Sequence, residues 1–252
     1  MNKTLLEVKN LTVSYQTKQD EVLAVNGISF TVERGEFIAL IGKSGCGKTS
    51  VLSACAGLLP YEGEIVLDGE KIISASRKTG YMLQRDELFE WLTIEKNACL
   101  PLKIRKKYGS KNETFVRELL DKYGLGDFKK SYPRELSGGM RQRAALIRTL
   151  ATDPALLLLD EPFSALDYQT RLTVTADVYN VIKSEGKTAM LFTHDISEAI
   201  SVADKIIVLS GRPARILAIE ELDFDKALTP LERREQPQFS VWFEKLWRKL
   251  NE

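Results

Sequence analysis

Eight consecutive residues, Gly42-Lys43-Ser44-Gly45-Cys46-Gly47-Lys48-Thr49, carry the spacing G-x-x-x-x-G-K-[ST]. That spacing suits one chemistry, the cradling of a polyphosphate. Glycines let the backbone wrap the anion with its N–H groups turned inward. A helix opening at the loop adds about half a positive charge at its N-terminus. Lys48 reaches the outer phosphates, and the Thr49 hydroxyl can hold Mg²⁺. The context fits: an unbroken apolar run, Phe37 to Ile41, precedes the loop, and a helical pattern, Thr49 to Leu59, follows it. Cys46 reads as a small filler at a free position. A thiol at a helix N-terminus can be reactive, so its alkylation is expected to block nucleotide binding sterically.

A bound metal needs a carboxylate. Leu156 to Leu159 form an apolar strand that ends in Asp160, followed by Glu161 and Pro162. An Asp at the end of a neighbouring parallel strand can hold Mg²⁺, and a second carboxylate beside it can orient the attacking water. His194, the single histidine, ends another apolar strand and is followed by Asp195. Its imidazole is therefore expected near the terminal phosphate.

The elements that must position these groups follow from periodicity. Leu5 to Val8, Leu11 to Tyr15, Val22 to Val25 and Ile28 to Val32 read as four short strands of an antiparallel sheet. Glu64 to Leu67 and Gly80 to Leu83 fit two more. From about Arg85 to Leu150 the pattern turns mostly helical. Phe115, Val116, Leu119, Leu120 and Tyr123 share one helical face that Gly124 ends, and a further helix runs from Gly139 to Thr152. Ala155 to Leu159, Thr188 to Thr193 and Lys205 to Leu209 are buried strands. Strands alternating with helices predict a mostly parallel sheet. In the tail, Phe239, Trp242, Phe243, Leu246, Trp247 and Leu250 form a helical apolar stripe, with Lys245, Arg248 and Lys249 expected on its other side. A helix packed on its own domain is the favoured reading of that stripe; lying on a membrane surface or on a partner is the other.

Composition narrows the classes. The chain has 252 residues, 44% hydrophobic and 28% charged, which is ordinary globular usage and excludes a disordered or collagen-like chain. Lys and Arg number 36 against 35 Asp and Glu, so no global field draws in nucleic acid. No apolar stretch approaches the ~20 residues of a membrane span, and the N-terminus lacks a secretory pattern. Cys46, Cys55 and Cys99 form no CxxC, and one histidine precludes a multi-histidine metal centre. A reducing compartment is expected.

Taken in order, the motifs resemble the ATPase subunit of ABC transporters. The deciding stretch is Leu136-Ser137-Gly138-Gly139-Met140-Arg141-Gln142-Arg143, which looks like that family's signature and lies between the phosphate loop and the Asp160 strand. Gln84 looks like the Q-loop glutamine, Ser164-Ala165-Leu166-Asp167 like the D-loop, and His194 like the switch histidine. The resemblance covers roughly residues 4–218. It implies an α/β fold: a P-loop NTPase (RecA-like) core with an N-terminal antiparallel β subdomain and an inserted α-helical subdomain. It implies residues 1–85 and 151–218 as the nucleotide-binding core, 86–150 as the helical signature subdomain and 219–252 as a helical tail. It implies ATP and Mg²⁺ as cofactors, Tyr15 as the adenine-stacking aromatic, and Ser50 beside the phosphate loop. Gln84 joins Thr49 and Asp160 around the metal, and Glu161, His194 and Lys48 are the catalytic set.

Ser137, Gly138 and Gly139 open a helix and form a second anion cradle. In the family two subunits pair head to tail, so each signature faces the other subunit's phosphate loop across an isologous interface. The further partners implied are integral membrane permease subunits and, indirectly, a substrate-binding protein, at the cytoplasmic face of the membrane and without nucleic acid. Glu87 to Thr93 and Asp204 to Pro213 look like the bacterial importers for nitrate, sulfonates and taurine. Those ATPases usually carry Leu-Pro-Trp where this chain has Phe89-Glu90-Trp91. Phe89, Trp91 and Leu92 are candidates for permease docking, and Trp91 packed inside the helical subdomain is the alternative. Lys103, Arg105, Lys106, Lys107 and Lys111 read as a solvated face rather than a lipid site. The competing function, a soluble ABC ATPase acting on DNA or ribosomes, is disfavoured because no sustained heptads separate Thr49 from Ser137.

Overall fold

The computed structural model describes residues 3–16 and 20–251. Six strands form the central sheet: β3 (Phe37–Ile41), β6 (Thr79–Met82), β7 (Leu156–Asp160), β8 (Thr188–Thr193), β9 (Lys205–Leu209) and β10 (Ile216–Glu221), in spatial order β10-β9-β3-β8-β7-β6. All neighbours are parallel except β10, which pairs antiparallel at the edge. The continuous apolar runs have a plain cause, since the sheet is a wall between two cores. Phe37, Ala39 and Ile41 of β3 enter one core, and Ile38 and Leu40 enter the other. Leu157 and Leu159 of β7 are likewise divided from Leu156 and Leu158.

The second core lies beneath an antiparallel sheet of order β2-β1-β4-β5, made of β1 (Thr4–Gln16), β2 (Glu21–Glu33), β4 (Glu62–Leu67) and β5 (Glu70–Lys71). Four short N-terminal strands were the expectation, but two strands of 13 residues each are present. The residues that read as turns are bulges. Asn10 has φ +50° and Gly27 φ +62°, and the β1–β2 register shifts between Val8 and Leu11 and between Leu11 and Val13. A bulge takes up an extra residue without ending the ladder.

Helix α1 (Lys48–Cys55) is shorter than the expected run to Leu59. Gly57 at φ +71° closes it, and a Cβ there would stand 2.2 Å from the Ser74 carbonyl oxygen, so only glycine permits this approach. The middle of the chain supplies α2 (Ile94–Ile104), α3 (Ser110–Lys122) and α4 (Gly138–Leu150). Val116, Leu119 and Leu120 are buried as predicted, and Gly124 follows at φ +73°. The stretch from Arg85 to Thr93 is not helical. Asn97, fully buried, holds it by hydrogen-bonding the backbone of Phe89, Leu92 and Thr93.

Helices α5 (Tyr168–Ser184), α6 (Ile196–Val202), α7 (Pro230–Glu235) and α8 (Pro237–Asn251) complete the chain. The apolar stripe of α8 packs on the helical side of the sheet, with Leu246 fully buried and Phe239, Trp242, Phe243 and Leu250 against the same core. Its cations do not all lie opposite. Lys245 and Lys249 pair with Glu220 of β10, because their long stems reach past the apolar face to the sheet edge. Arg248 alone turns away, towards Glu244.

Candidate functional site

Parallel strands bring their carboxyl ends to one edge, where ligands of such sheets bind. The phosphate loop follows β3, Asp160 ends β7 with Glu161 next after it, His194 follows β8, and Gln84 follows β6. Between them lies a cleft of about 360 Å³ lined by Ser44, Gly45, Gly47, Lys48, Thr49, Ser50, Gln84, Asp160 and Glu161, with Tyr15 at its rim. Gly42, Lys43, Cys46 and His194 do not line it. Gly42 and Lys43 turn their carbonyls to the Lys48 ammonium, at 2.7 and 3.2 Å.

The loop geometry demands its glycines. Gly47 sits at φ +114° as the cap of α1, where a Cβ would come within 2.7 Å of the Ala24 carbonyl oxygen. No side chain caps this helix, so its first N–H groups are left for another acceptor. Gly42 is pressed by Cys46, whose Sγ would be 2.7 Å from an added Cβ. Cys46 is only 2% exposed, and burial pushes its thiol up. The filler reading therefore fits Cys46, and a reactive thiol does not.

The charged groups gather at the carboxyl ends of β7 and β8, beside the P-loop. Lys48 is buried, 3.7 Å from Glu161. Thr49 hydrogen-bonds Asp160, and the Tyr81 hydroxyl donates to Asp160 at 3.2 Å. Burial outweighs both bonds and raises the Asp160 carboxyl above its ordinary value. A half-buried carboxylate beside a hydroxyl is an oxygen donor set that suits Mg²⁺, which would relieve that burden. Glu161 has φ +44°, an unusual backbone for a non-glycine residue. Its N–H is held by the Phe192 carbonyl at 2.8 Å, and its carboxylate pairs with His194 Nδ1 at 3.1 Å. Strain of this kind persists where surrounding structure fixes it, typically at functional sites.

Two expected residues take contacts the sequence did not foresee. The Tyr15 hydroxyl shares a hydrogen bond with Ser50 Oγ at 2.9 Å, which leans the ring over the start of α1. Gln84 Nε2 donates to Ser164 Oγ at 3.1 Å, so the Q-loop and D-loop touch. Ser137, Gly138 and Gly139 lie outside the cleft. Ser137 caps α4 by accepting from the Met140 N–H at 3.4 Å, and Gly139 lets α4 approach Val174 of α5.

Sequence reasoning missed four residues. Tyr81, on Asp160, was visible only as a strand residue. Glu198, buried under the His194 turn and bonded to the Thr193 hydroxyl, carried no signal beyond its helical position. Ala24 and Arg212 line the cleft through pairings distant in sequence. Phe89 and Trp91 form a tilted aromatic pair 4.9 Å apart on the surface, and Trp91 is 72% exposed. The reading that packs Trp91 inside the helical region is thereby corrected: the short Arg85–Thr93 segment leaves it no cover.

Known proteins agree with this geometry. The family described as ABC transporter matches residues 25–164. An uncharacterized ABC transporter ATP-binding protein of Bacillus subtilis, YtlC, is 45% identical over 250 residues, covering 98% of this chain and 96% of its own. The aliphatic sulfonates import ATP-binding protein SsuB of Bacillus thuringiensis subsp. konkukian is 42% identical over 84% of each chain. The taurine import ATP-binding protein TauB of Roseobacter denitrificans is 37% identical over 94% of this chain and 90% of its own. Among solved structures, a dimeric post-hydrolysis state of the ATP-binding cassette MJ0796 with ADP and Pi superposes with a TM-score of 0.72 at 28% identity, over 88% of this chain and all of the other. With a P-loop, paired carboxylates and a histidine at one sheet edge, and these likenesses along nearly its whole length, the chain belongs to the ABC transporter family as an ATP-binding, ATP-hydrolysing subunit.

Proposed function

We propose that this chain powers a bacterial importer of small molecules in the nitrate, sulfonate and taurine class. The observation that carries the reading is a divided site. The P-loop, Asp160, Glu161 and Gln84 line one cleft, with His194 paired to Glu161 beside it, while the signature loop Ser137–Gly139 lies outside it. A second copy, related by twofold symmetry, would supply the missing cradle. Two ATP molecules then lie between two P-loops and two signatures. Residues 86–150 act as the signature-bearing subdomain, 1–85 and 151–218 as the nucleotide core.

Within this reading Lys48 and the loop N–H groups bind the outer phosphates. Thr49, Asp160 and Gln84 would hold Mg²⁺, which would supply positive charge to offset that of the phosphates. Glu161 orients the attacking water, and His194, paired with it, contacts the γ-phosphate. Tyr15 stacks on the adenine. Loss of the γ-phosphate removes the contact that favours the closed dimer, and the dimer opens. Among the described residues no helix is long and apolar enough to cross a membrane, so the transport path belongs to permease subunits. The exposed Phe89–Trp91 pair beside the Q-loop is a docking anchor for them, at the cytoplasmic face. SsuB and TauB, as aliphatic sulfonate and taurine import proteins, support the substrate class.

The test is a mild-detergent pull-down of tagged Glu161→Gln protein from native membranes with Mg-ATP, read by mass spectrometry. Removing the water-orienting carboxylate traps the closed dimer. A polytopic membrane protein in near-equal ratio is the expected partner. Recovery of only ribosomes, DNA or soluble proteins would overturn the importer reading.

A further inference from the structure

Five parallel strands end at the ligand edge, and four of the loops that follow them supply the groups already described. The fifth follows β9, the neighbour of β3, and carries Ser210-Gly211-Arg212-Pro213-Ala214-Arg215. This loop is stitched to the antiparallel sheet. The Ala214 N–H donates to the Ala24 carbonyl at 2.8 Å, and the Asn26 N–H donates to the Ala214 carbonyl at 2.9 Å. Ala214 also closes on the P-loop, 3.3 Å from where a Cβ of Gly47 would stand. Ser210 Oγ accepts from the Arg215 N–H at 2.9 Å and pins the loop from within. Backbone pairing on both sides gives the loop a fixed seat.

The seat brings Arg212 to the cleft, which it lines together with Ala24 and Tyr15. Ala24 turns its carbonyl to Gly47 and Tyr15 bonds Ser50, so Arg212 shares the cleft with the aromatic expected to stack on the base. Among the described residues no carboxylate, carbonyl or hydroxyl is bonded to the Arg212 guanidinium, although most other arginines of the chain are so bonded. An uncommitted guanidinium at the rim of a polyanion site has both the charge and the planar donor fork for a nucleotide.

We propose that Arg212 is a nucleotide-binding residue that grips the nucleoside end of ATP or ADP: the base over Tyr15, the ribose or the α-phosphate. The inference rests on the cleft being the ATP site. It assigns Arg212 to the part of the ligand that ATP and ADP share, in contrast to His194 and Glu161 at the γ-phosphate. The guanidinium can lie over the base or donate to the adjoining oxygens, and either contact is indifferent to hydrolysis.

The test is calorimetric titration of the purified full chain with ATP and with ADP, for the native protein, Arg212→Ala, Arg212→Lys and Lys48→Ala, each checked for fold by circular dichroism. Arg212→Ala is expected to raise Kd by about tenfold for both nucleotides alike. Arg212→Lys keeps the charge without the plane and is expected to recover part of that loss. Unchanged Kd in Arg212→Ala, or a loss confined to ATP, overturns the inference. Lys48→Ala separates the two readings. If it weakens binding while Arg212→Ala does not, only the role of Arg212 falls. If neither variant weakens binding, the cleft itself is not the ATP site.

Discussion

Two loops of this chain open helices and are rich in glycine, yet they are finished differently. At the P-loop, α1 begins at Gly47 with φ +114° and no side-chain cap. At the signature, α4 begins at Ser137, whose hydroxyl caps its own helix. An uncapped helix start leaves all its first N–H groups for an anion, whereas the Ser137 cap takes up one of them and leaves the others for a partner. The surroundings differ in the same sense. Behind the P-loop, burial drives Asp160 and Glu198 upward, Glu198 to about 7. Beside the signature, burial also acts on Asp86, but Arg141 offsets it through two hydrogen bonds, and the carboxyl is held below its ordinary value. One face is left unfinished for a ligand. The other carries its own cap and charge pairing, and stands without a ligand in the isolated chain.

The largest effect should fall on the unfinished face. Glu161→Gln keeps the shape and removes the carboxylate proposed to orient the attacking water. Turnover of ATP by the purified protein should fall by about 10²–10⁴-fold, while nucleotide affinity measured by titration persists. Steady-state phosphate release is the measurement. Retained turnover would mean that Glu161 shapes the loop after β7 without orienting the water, and that the two loops differ in structure but not in chemistry.

The next effect separates the two faces by pH. Glu198 is 4% exposed, with one oxygen on the Thr193 hydroxyl and the other without a partner among the described residues. Burial raises its carboxyl from 4.5 to about 7. The folded protein thus holds this proton more tightly than the unfolded chain does. The stability it contributes is fully present below about 4.5 and is lost as pH rises to about 7. The loss amounts to about 3 kcal/mol at most. Glu198→Gln should flatten this slope in urea unfolding between pH 5 and pH 8, because the amide does not titrate while its oxygen still accepts from the Thr193 hydroxyl. Asp86 works the other way: its contribution is present above its ordinary pKa of 3.8 and is lost as pH falls below it. Parallel profiles for Glu198→Gln and the native chain would show that Glu198 does not titrate in that window.

The same contrast explains what could be read from the sequence. Strands β3, β7, β8 and β9 were legible because each is buried on both faces, which leaves an unbroken apolar run. The P-loop, Asp160, Glu161 and His194 were legible because each sits immediately after such a run. The N-terminal strands were broken wrongly at Asn10 and Gly27, where bulges imitate turns in one dimension. Strand β10 was missed because its ILAIEE sequence is half-buried and ends in carboxylates; only pairing with β9 makes it a strand. Arg212 was visible as part of a run but not as part of a site. Its place depends on Ala214 meeting Ala24, far away in the chain.

The smallest effect tests the finished face most directly. Ser137→Ala removes the hydroxyl that accepts the Met140 N–H, and loss of such a cap costs about 1 kcal/mol of stability. No comparable change is available at Gly47, since α1 has no side-chain cap to lose. Two measurements on one variant then decide how far the comparison holds. Chemical denaturation of the isolated chain should show a loss of about 1 kcal/mol, without a change in the denaturant slope. Nucleotide affinity of the isolated chain should stay as in the native protein, because Ser137 lies outside the cleft. In the proposed pairing the same hydroxyl would meet the other subunit's nucleotide, so ATP-dependent dimerisation of Glu161→Gln should weaken when Ser137→Ala is added. A fall in affinity of the isolated chain would place the signature within reach of its own P-loop and end the distinction between the two loops. Unaltered dimerisation with a full loss of stability would leave Ser137 a cap and nothing more.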